Sequence, residues 1–148
     1  MASEYKPNFG VVTVTAATVT VEPNAYGGVP IILDRAAGIA VTLPAASGSG
    51  ASYEFFLKTT ITSNSTTIKV ANSSDVMTGQ AVMGQDAGDT VVHFATAASS
   101  DTVTWNGTTT GGITGARCKV IDIAANLWHV EVISDASGTE ATPFSATV

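Results

Sequence analysis

Val11-Val12-Thr13-Val14-Thr15 and, beyond Ala16-Ala17, Thr18-Val19-Thr20-Val21 are the stretches whose reading decides the fold of this chain. β-branched side chains are stiff at χ1 and fit a pleated surface better than a helix. Strict alternation sends valine to one face of a strand and threonine to the other. The phase breaks at Ala16-Ala17: Val12 and Val14 share one parity, Val19 and Val21 the other. A slip of one residue flips the buried set, so a bulge or short turn belongs near Ala16 to Thr18. The break also marks where the first strand passes from one partner sheet to another.

The same signature returns as Thr102-Val103-Thr104-Trp105, followed by Asn106-Gly107, a type I′ hairpin signal. Between these lie further alternating runs. Pro30 to Asp34 and Ile39 to Leu43 read as strands, and Tyr53 to Thr60 as the core strand. On that strand Tyr53, Phe55 and Leu57 share one face. Glu54, Phe56 and Lys58 share the other, which is expected to be partly wet with Phe56 at a contact. Thr67 to Val70 and Thr90 to Phe94 are short strands; Val76 to Met83 is ambiguous, with strand expected only at Ala81 to Met83. Arg117 to Ile123 and Leu127 to Ile133 form the clearest hairpin. Glu22 to Gly28, Ala45 to Ala51 and Ala95 to Ser100 are loops by composition. No window shows helical periodicity, and no fixed repeat of a solenoid is present. Thr-x-Thr triplets also occur on ice-binding β-helices, but those need a fixed repeat, and here the triplets fall irregularly.

About ten short strands with Gly-rich turns argue an all-β protein: an antiparallel β-sandwich or barrel-like domain of jelly-roll type, with extended termini. The expected organisation is an N-terminal arm over 1–10, a β domain over 11–134 and a polar tail over 135–148. The arm carries Tyr5, Lys6, Pro7 and Phe9, which can dock on a partner.

Of the 148 residues, 12% are charged, against roughly 25% in an average soluble domain. Thr, Ser, Ala and Gly take the place of the missing charge. The net charge is -6, and the six cations form no basic run, which disfavours binding to nucleic acid. No stretch of apolar residues is long enough to span a membrane, and the first residues carry no signal-peptide pattern. The single cysteine, Cys118, excludes an intrachain disulfide and is read as a buried small hydrophobe. Its neighbours Arg117 and Lys119 also admit a reactive thiol.

No residue pattern marks a catalytic centre, a metal or a cofactor, so the chain is expected not to be an enzyme. His93 and His129 sit in strands outside any metal-spaced motif. No two carboxylates stand out as a glycosidase pair. Asp86-Ala87-Gly88-Asp89 reads as a turn; it has the look of a calcium-binding loop but lacks the ligand density of an EF-hand. Trp105 and Trp128 are candidate sugar platforms; Trp128 is placed against the Tyr53–Leu57 strand and Trp105 at the surface.

Three segments carry a resemblance: Val41-Thr42-Leu43-Pro44-Ala45-Ala46-Ser47-Gly48-Ser49-Gly50-Ala51-Ser52-Tyr53-Glu54-Phe55, Asp101 to Gly112, and Gly138-Thr139-Glu140-Ala141-Thr142-Pro143-Phe144. They resemble segments of structural proteins of tailed-bacteriophage virions. The resemblance implies a capsid decoration (cement) protein. Such a protein binds the outer surface of the shell, clamps major capsid protein subunits against internal DNA pressure, and often forms homotrimers. It is made in the host cytoplasm and resides on the virion. The expected capsid or subunit contacts are Tyr5, Lys6, Phe9, Trp105 and Phe144. The alternative expectation is a tail-fibre or lectin-like head that binds host glycan.

Overall fold

The computed structural model describes residues 10–86 and 88–148. Twelve strands and one short helix occur in the order β1 (Val12–Val14), β2 (Thr18–Thr20), α1 (Pro23–Tyr26), β3 (Pro30–Leu33), β4 (Ala40–Thr42), β5 (Ser52–Leu57), β6 (Thr66–Lys69), β7 (Val76–Gln85), β8 (Val91–Ala95), β9 (Thr102–Trp105), β10 (Arg117–Ala124), β11 (Leu127–Ala136) and β12 (Phe144–Ser145). They form two open sheets, one of seven strands ordered β1-β3-β5-β10-β11-β7-β8 and one of five ordered β12-β9-β6-β4-β2. The all-β class holds. The antiparallel, barrel-like expectation does not: neither sheet closes, and β1–β3, β3–β5, β2–β4, β4–β6 and β7–β11 are parallel pairs.

The first six strands wind. Odd-numbered strands β1, β3 and β5 stack in parallel in one sheet, and even-numbered β2, β4 and β6 stack in parallel in the other. The chain therefore makes three turns of a two-sheet coil. Ala16-Ala17 is the corner of the first turn, and the valine phase changes there because the chain changes sheets. The coil escaped a search for a repeat because its turns differ in length. In-register partners are 19 and then 24 positions apart in one sheet (Val12, Ile31, Phe55), and 22 and then 27 in the other (Val19, Val41, Ile68). Successive corners stack closely. A side chain at Gly38 would sit 2.2 Å from the Asn64 carbonyl oxygen, and only glycine fits that approach at φ 76°.

The remaining strands extend both sheets. β10 and β11 form the expected hairpin, with a bulge between Asp122 and Ala124, and β10 pairs antiparallel with β5. β7 runs ten residues beside β11, far beyond the three residues expected. Gly79 and Gln80 had hidden its alternation. β8 closes that side of the sheet. β9 does not form a hairpin across Asn106-Gly107; it pairs with β6 and β12. Asn106 instead heads a tight loop, where its Oδ1 accepts from the N–H groups of Thr108 and Thr110. Gly107 is required at φ 85° because a Cβ there would meet the Ile61 carbonyl at 1.8 Å.

The inner faces of both sheets share one core. In the seven-stranded sheet one inner row runs Val12, Ile31, Phe55, Cys118, Val132, Ala81, Phe94. In the five-stranded sheet it runs Val19, Val41, Ile68, Val103, Phe144. Trp105, Trp128, Tyr53 and Phe55 are the bulkiest fully buried side chains, each a gain of roughly 1.5–3 kcal/mol or more from burial. The polar tail is docked rather than free. β11 continues to Ala136, β12 pairs with β9, and the Asp101 carboxylate accepts from the Thr147 and Val148 N–H groups and from the Thr102 hydroxyl.

Candidate functional surface

The outer faces of the two sheets differ in kind. On the five-stranded sheet, Thr18, Ala40, Thr67 and Thr104 form one cross-strand row, and Thr20, Thr42, Lys69, Thr102 and Ser145 the next. Alternation explains it: every second residue of these strands is Thr or Ser, apart from Ala40 and Lys69. On the seven-stranded sheet the corresponding row reads Thr13, Ile32, Phe56, Arg117, Ile133, Val82, His93. It crosses six strand spacings of about 4.8 Å, roughly 29 Å in all. Ile133 and Val82 stand beside each other, 54% and 39% exposed. Ile32 and Phe56, also neighbours, are half-buried.

The next row of this face is charged and alternates in sign: Pro30, Glu54, Lys119, Glu131, Gln80. A third row holds Ser52, Ile121, His129 and Thr78. Glu54 also meets Arg117 at 3.4 Å, a half-exposed pair that orients both side chains and adds little stability. A hollow of about 210 Å³ opens at one end, lined by Gly28, Val29, Pro30, Ser52, Glu54 and Lys119. Its size lies below the roughly 300 Å³ at which ordinary small-molecule pockets begin. The first row of this face sets two apolar pairs, Ile32–Phe56 and Ile133–Val82, on either side of Arg117, and the opposite charges beside them can fix the register of a partner.

Of the residues expected to touch a partner, Trp105 and Phe144 lie off this face. Tyr5, Lys6 and Phe9 lie outside the described residues. Trp105, expected at the surface beside a hairpin tip, is fully buried; its parity on β9 faces the core, and no hairpin turn follows it. Phe144, expected on a free tail, is 7% exposed and completes the inner row of the five-stranded sheet. As folded, neither offers surface to a partner. Trp128 is buried with its ring centroid 6.0 Å from that of Tyr53, as its placement against that strand implied. Both tryptophans are thus removed as sugar platforms in this conformation. The residues missed were Ile133 and Val82. Ile133 was readable, since it falls on the opposite parity to Trp128, Val130 and Val132; Val82 was hidden with the rest of β7.

The polar clusters inside the protein hold loops in place. Asp122, buried on β10, accepts from the backbone N–H groups of Ser47, Gly48 and Ser49 and from the Ser49 hydroxyl at 2.7 Å. Burial opposes its charge, but the Ser49 hydroxyl and those three N–H groups more than offset it and lower its pKa to about 2. Asp75, also buried, accepts from the Ala46 N–H at 2.9 Å. The 46–49 segment is thereby fastened from two sides. Cys118 is buried as expected, and burial pushes its thiol pKa well up, which rules out a reactive thiolate in the folded chain. His93 contacts the Gln80 amide oxygen at 3.1 Å through Nε2, and His129 lies opposite Ile121 on the outer face. Among the described residues no cluster of three His, Cys, Asp or Glu has metal-binding geometry, and no helix is long and apolar enough to cross a membrane.

No protein-family model, curated protein or solved structure matches this chain.

Proposed function

We propose that the protein acts by binding alone, as a decoration protein seated on the outer capsid surface of a tailed phage. The observation that carries this reading is the outer row of the seven-stranded sheet, with Ile133, Val82, Phe56 and Ile32 set beside the alternating charges of Glu54, Lys119 and Glu131. A broad, partly apolar sheet face offers a partner an extended contact area, and many copies on a symmetric shell turn modest contacts into firm retention. The resemblance of three chain segments to virion structural proteins supplies the partner, the major capsid protein. Shell stabilisation follows when one copy bridges neighbouring capsid subunits, because separating them then breaks two interfaces.

The test compares virions with and without the protein. Added protein is expected to sediment with stripped capsids and to raise the temperature at which they release DNA. Unchanged DNA release, with no protein on the shell, contradicts the reading. The glycan-binding alternative loses its two tryptophan platforms to the core.

A further inference from the structure

The three-turn coil is open at its first turn. β1 is the edge of the seven-stranded sheet and β2 the edge of the five-stranded sheet, and only Thr15, Ala16 and Ala17 separate them. Among the described residues no strand pairs with the outer side of either, and both edges lie at the same end. Between them is a hollow of about 280 Å³ lined by Val12, Thr13, Val14, Ala16, Val19 and Tyr26, among others. Val12 and Val19 each begin an inner row of their sheet, so the core reaches this end with only part of its apolar surface covered. The edge strands carry none of the usual guards against pairing: no lysine, no proline, no inward charge.

From these observations we propose that the open first turn is a docking surface for a second copy of this chain, joined about a two-fold axis. The geometry selects this occupant, since a second copy carries the same two edges side by side, and the charge distribution admits it. The chain carries a net charge of -6, so two copies repel wherever their carboxylates approach. Residues 10–21, which contain both edges, include no Asp, Glu, Lys, Arg or His. A copy can thus approach here without bringing like charges together along the strands. A two-fold axis perpendicular to the sheets sets β1 against β1 and β2 against β2, each antiparallel. That single operation extends both sheets at once and closes the assembly, as an isologous contact must. Val12, Val19 and Tyr26 of each copy then cover the hollow of the other. The contact needs no capsid, so it stands or falls apart from the decoration reading.

The experiment uses the purified full chain. Light scattering and sedimentation across a concentration series are expected to show a monomer–dimer equilibrium. Hydrogen exchange at Val12–Val14 and Thr18–Thr20 should slow as the dimer forms. Thr13→Lys with Thr18→Lys places charges on exposed, outward side chains of both edges; it should weaken the dimer about tenfold or more while leaving the circular dichroism and melting temperature of the monomer intact. Val19→Asp, an inward charge at the edge, should also weaken the dimer, at a cost to monomer stability because Val19 packs on the core, and a Thr104→Lys control on the interior strand β9 should leave the dimer unchanged. A chain that stays monomeric, a trimer, or a dimer indifferent to both edge variants overturns the proposal. A monomer whose edge amides are already slow to exchange also overturns it, since another segment of the same chain then covers the edges.

Discussion

The two outer faces of this protein are built on the same core by the same alternation, yet one is threonine and the other isoleucine, phenylalanine, valine and paired charge. The inner rows scarcely differ in character: Val19, Val41, Ile68, Val103 and Phe144 under one face, Val12, Ile31, Phe55, Cys118 and Val132 under the other. The fold therefore dictates what faces inward and leaves the outward residues free. A threonine face is what β propensity and solubility ask for. Exposed Ile133 and Val82 on the opposite face satisfy β propensity but not solubility, and that departure makes this face the one on which to seek a partner.

The contrast can be broken most severely from below. Trp105→Ala removes the largest buried side chain beneath the threonine face and should cost about 3–5 kcal/mol, read as a drop in the denaturant midpoint. Were Trp105 a surface contact, the same change would cost well under about 1 kcal/mol.

Asp122→Asn comes next. It keeps the shape but removes the charge that five donors of the 47–49 loop address. The cost should be about 3 kcal/mol, from a folded pKa of about 2 against about 3.9 for an unperturbed aspartate. Because the folded pKa is the lower one, this stability is present in full above about pH 4 and is lost as pH falls toward 2. An equilibrium unfolding series should show the wild type converging on Asp122→Asn in that window. Parallel curves for the two proteins would contradict the assignment.

Ile133→Asp sharpens the contrast on the apolar face. It should change stability by no more than about 1 kcal/mol, because Ile133 is half exposed. Capsid binding should weaken about thirtyfold, the loss expected for a central contact residue. The smallest effect is expected on the other face. Thr42→Asp, half-buried at a threonine position of β4, should leave capsid binding unchanged and stability within about 1 kcal/mol.

How much of this was legible depended on distance along the chain. The change of sheet at Ala16-Ala17, the β10–β11 hairpin and the burial of Cys118 are local consequences of alternation, and all three were readable. The coil was not, because its turns of 19, 24, 22 and 27 positions leave no period to detect. Parallel pairing is set by which strands stack, and no short motif announces it. Asn106-Gly107 misled because a turn dipeptide specifies a bend, whereas the strands it joins are chosen by the rest of the fold. Trp105 was misplaced for the same reason: nearness to a turn says nothing about parity. The task of Asp122 was invisible because its partners lie 73 to 75 residues away in sequence. Trp105 and Phe144 went to the core, and the proposed contact surface is a row of residues drawn from seven strands, which only the register assembles.

The most direct measurement is the occupancy of Ile133→Asp and Thr42→Asp side by side on capsids stripped of the native protein, scored with the heat-induced release of DNA. The account predicts that Thr42→Asp fills the shell and protects it as the wild type does, while Ile133→Asp leaves it bare and heat-sensitive. Equal occupancy by both, or loss with Thr42→Asp alone, would contradict it.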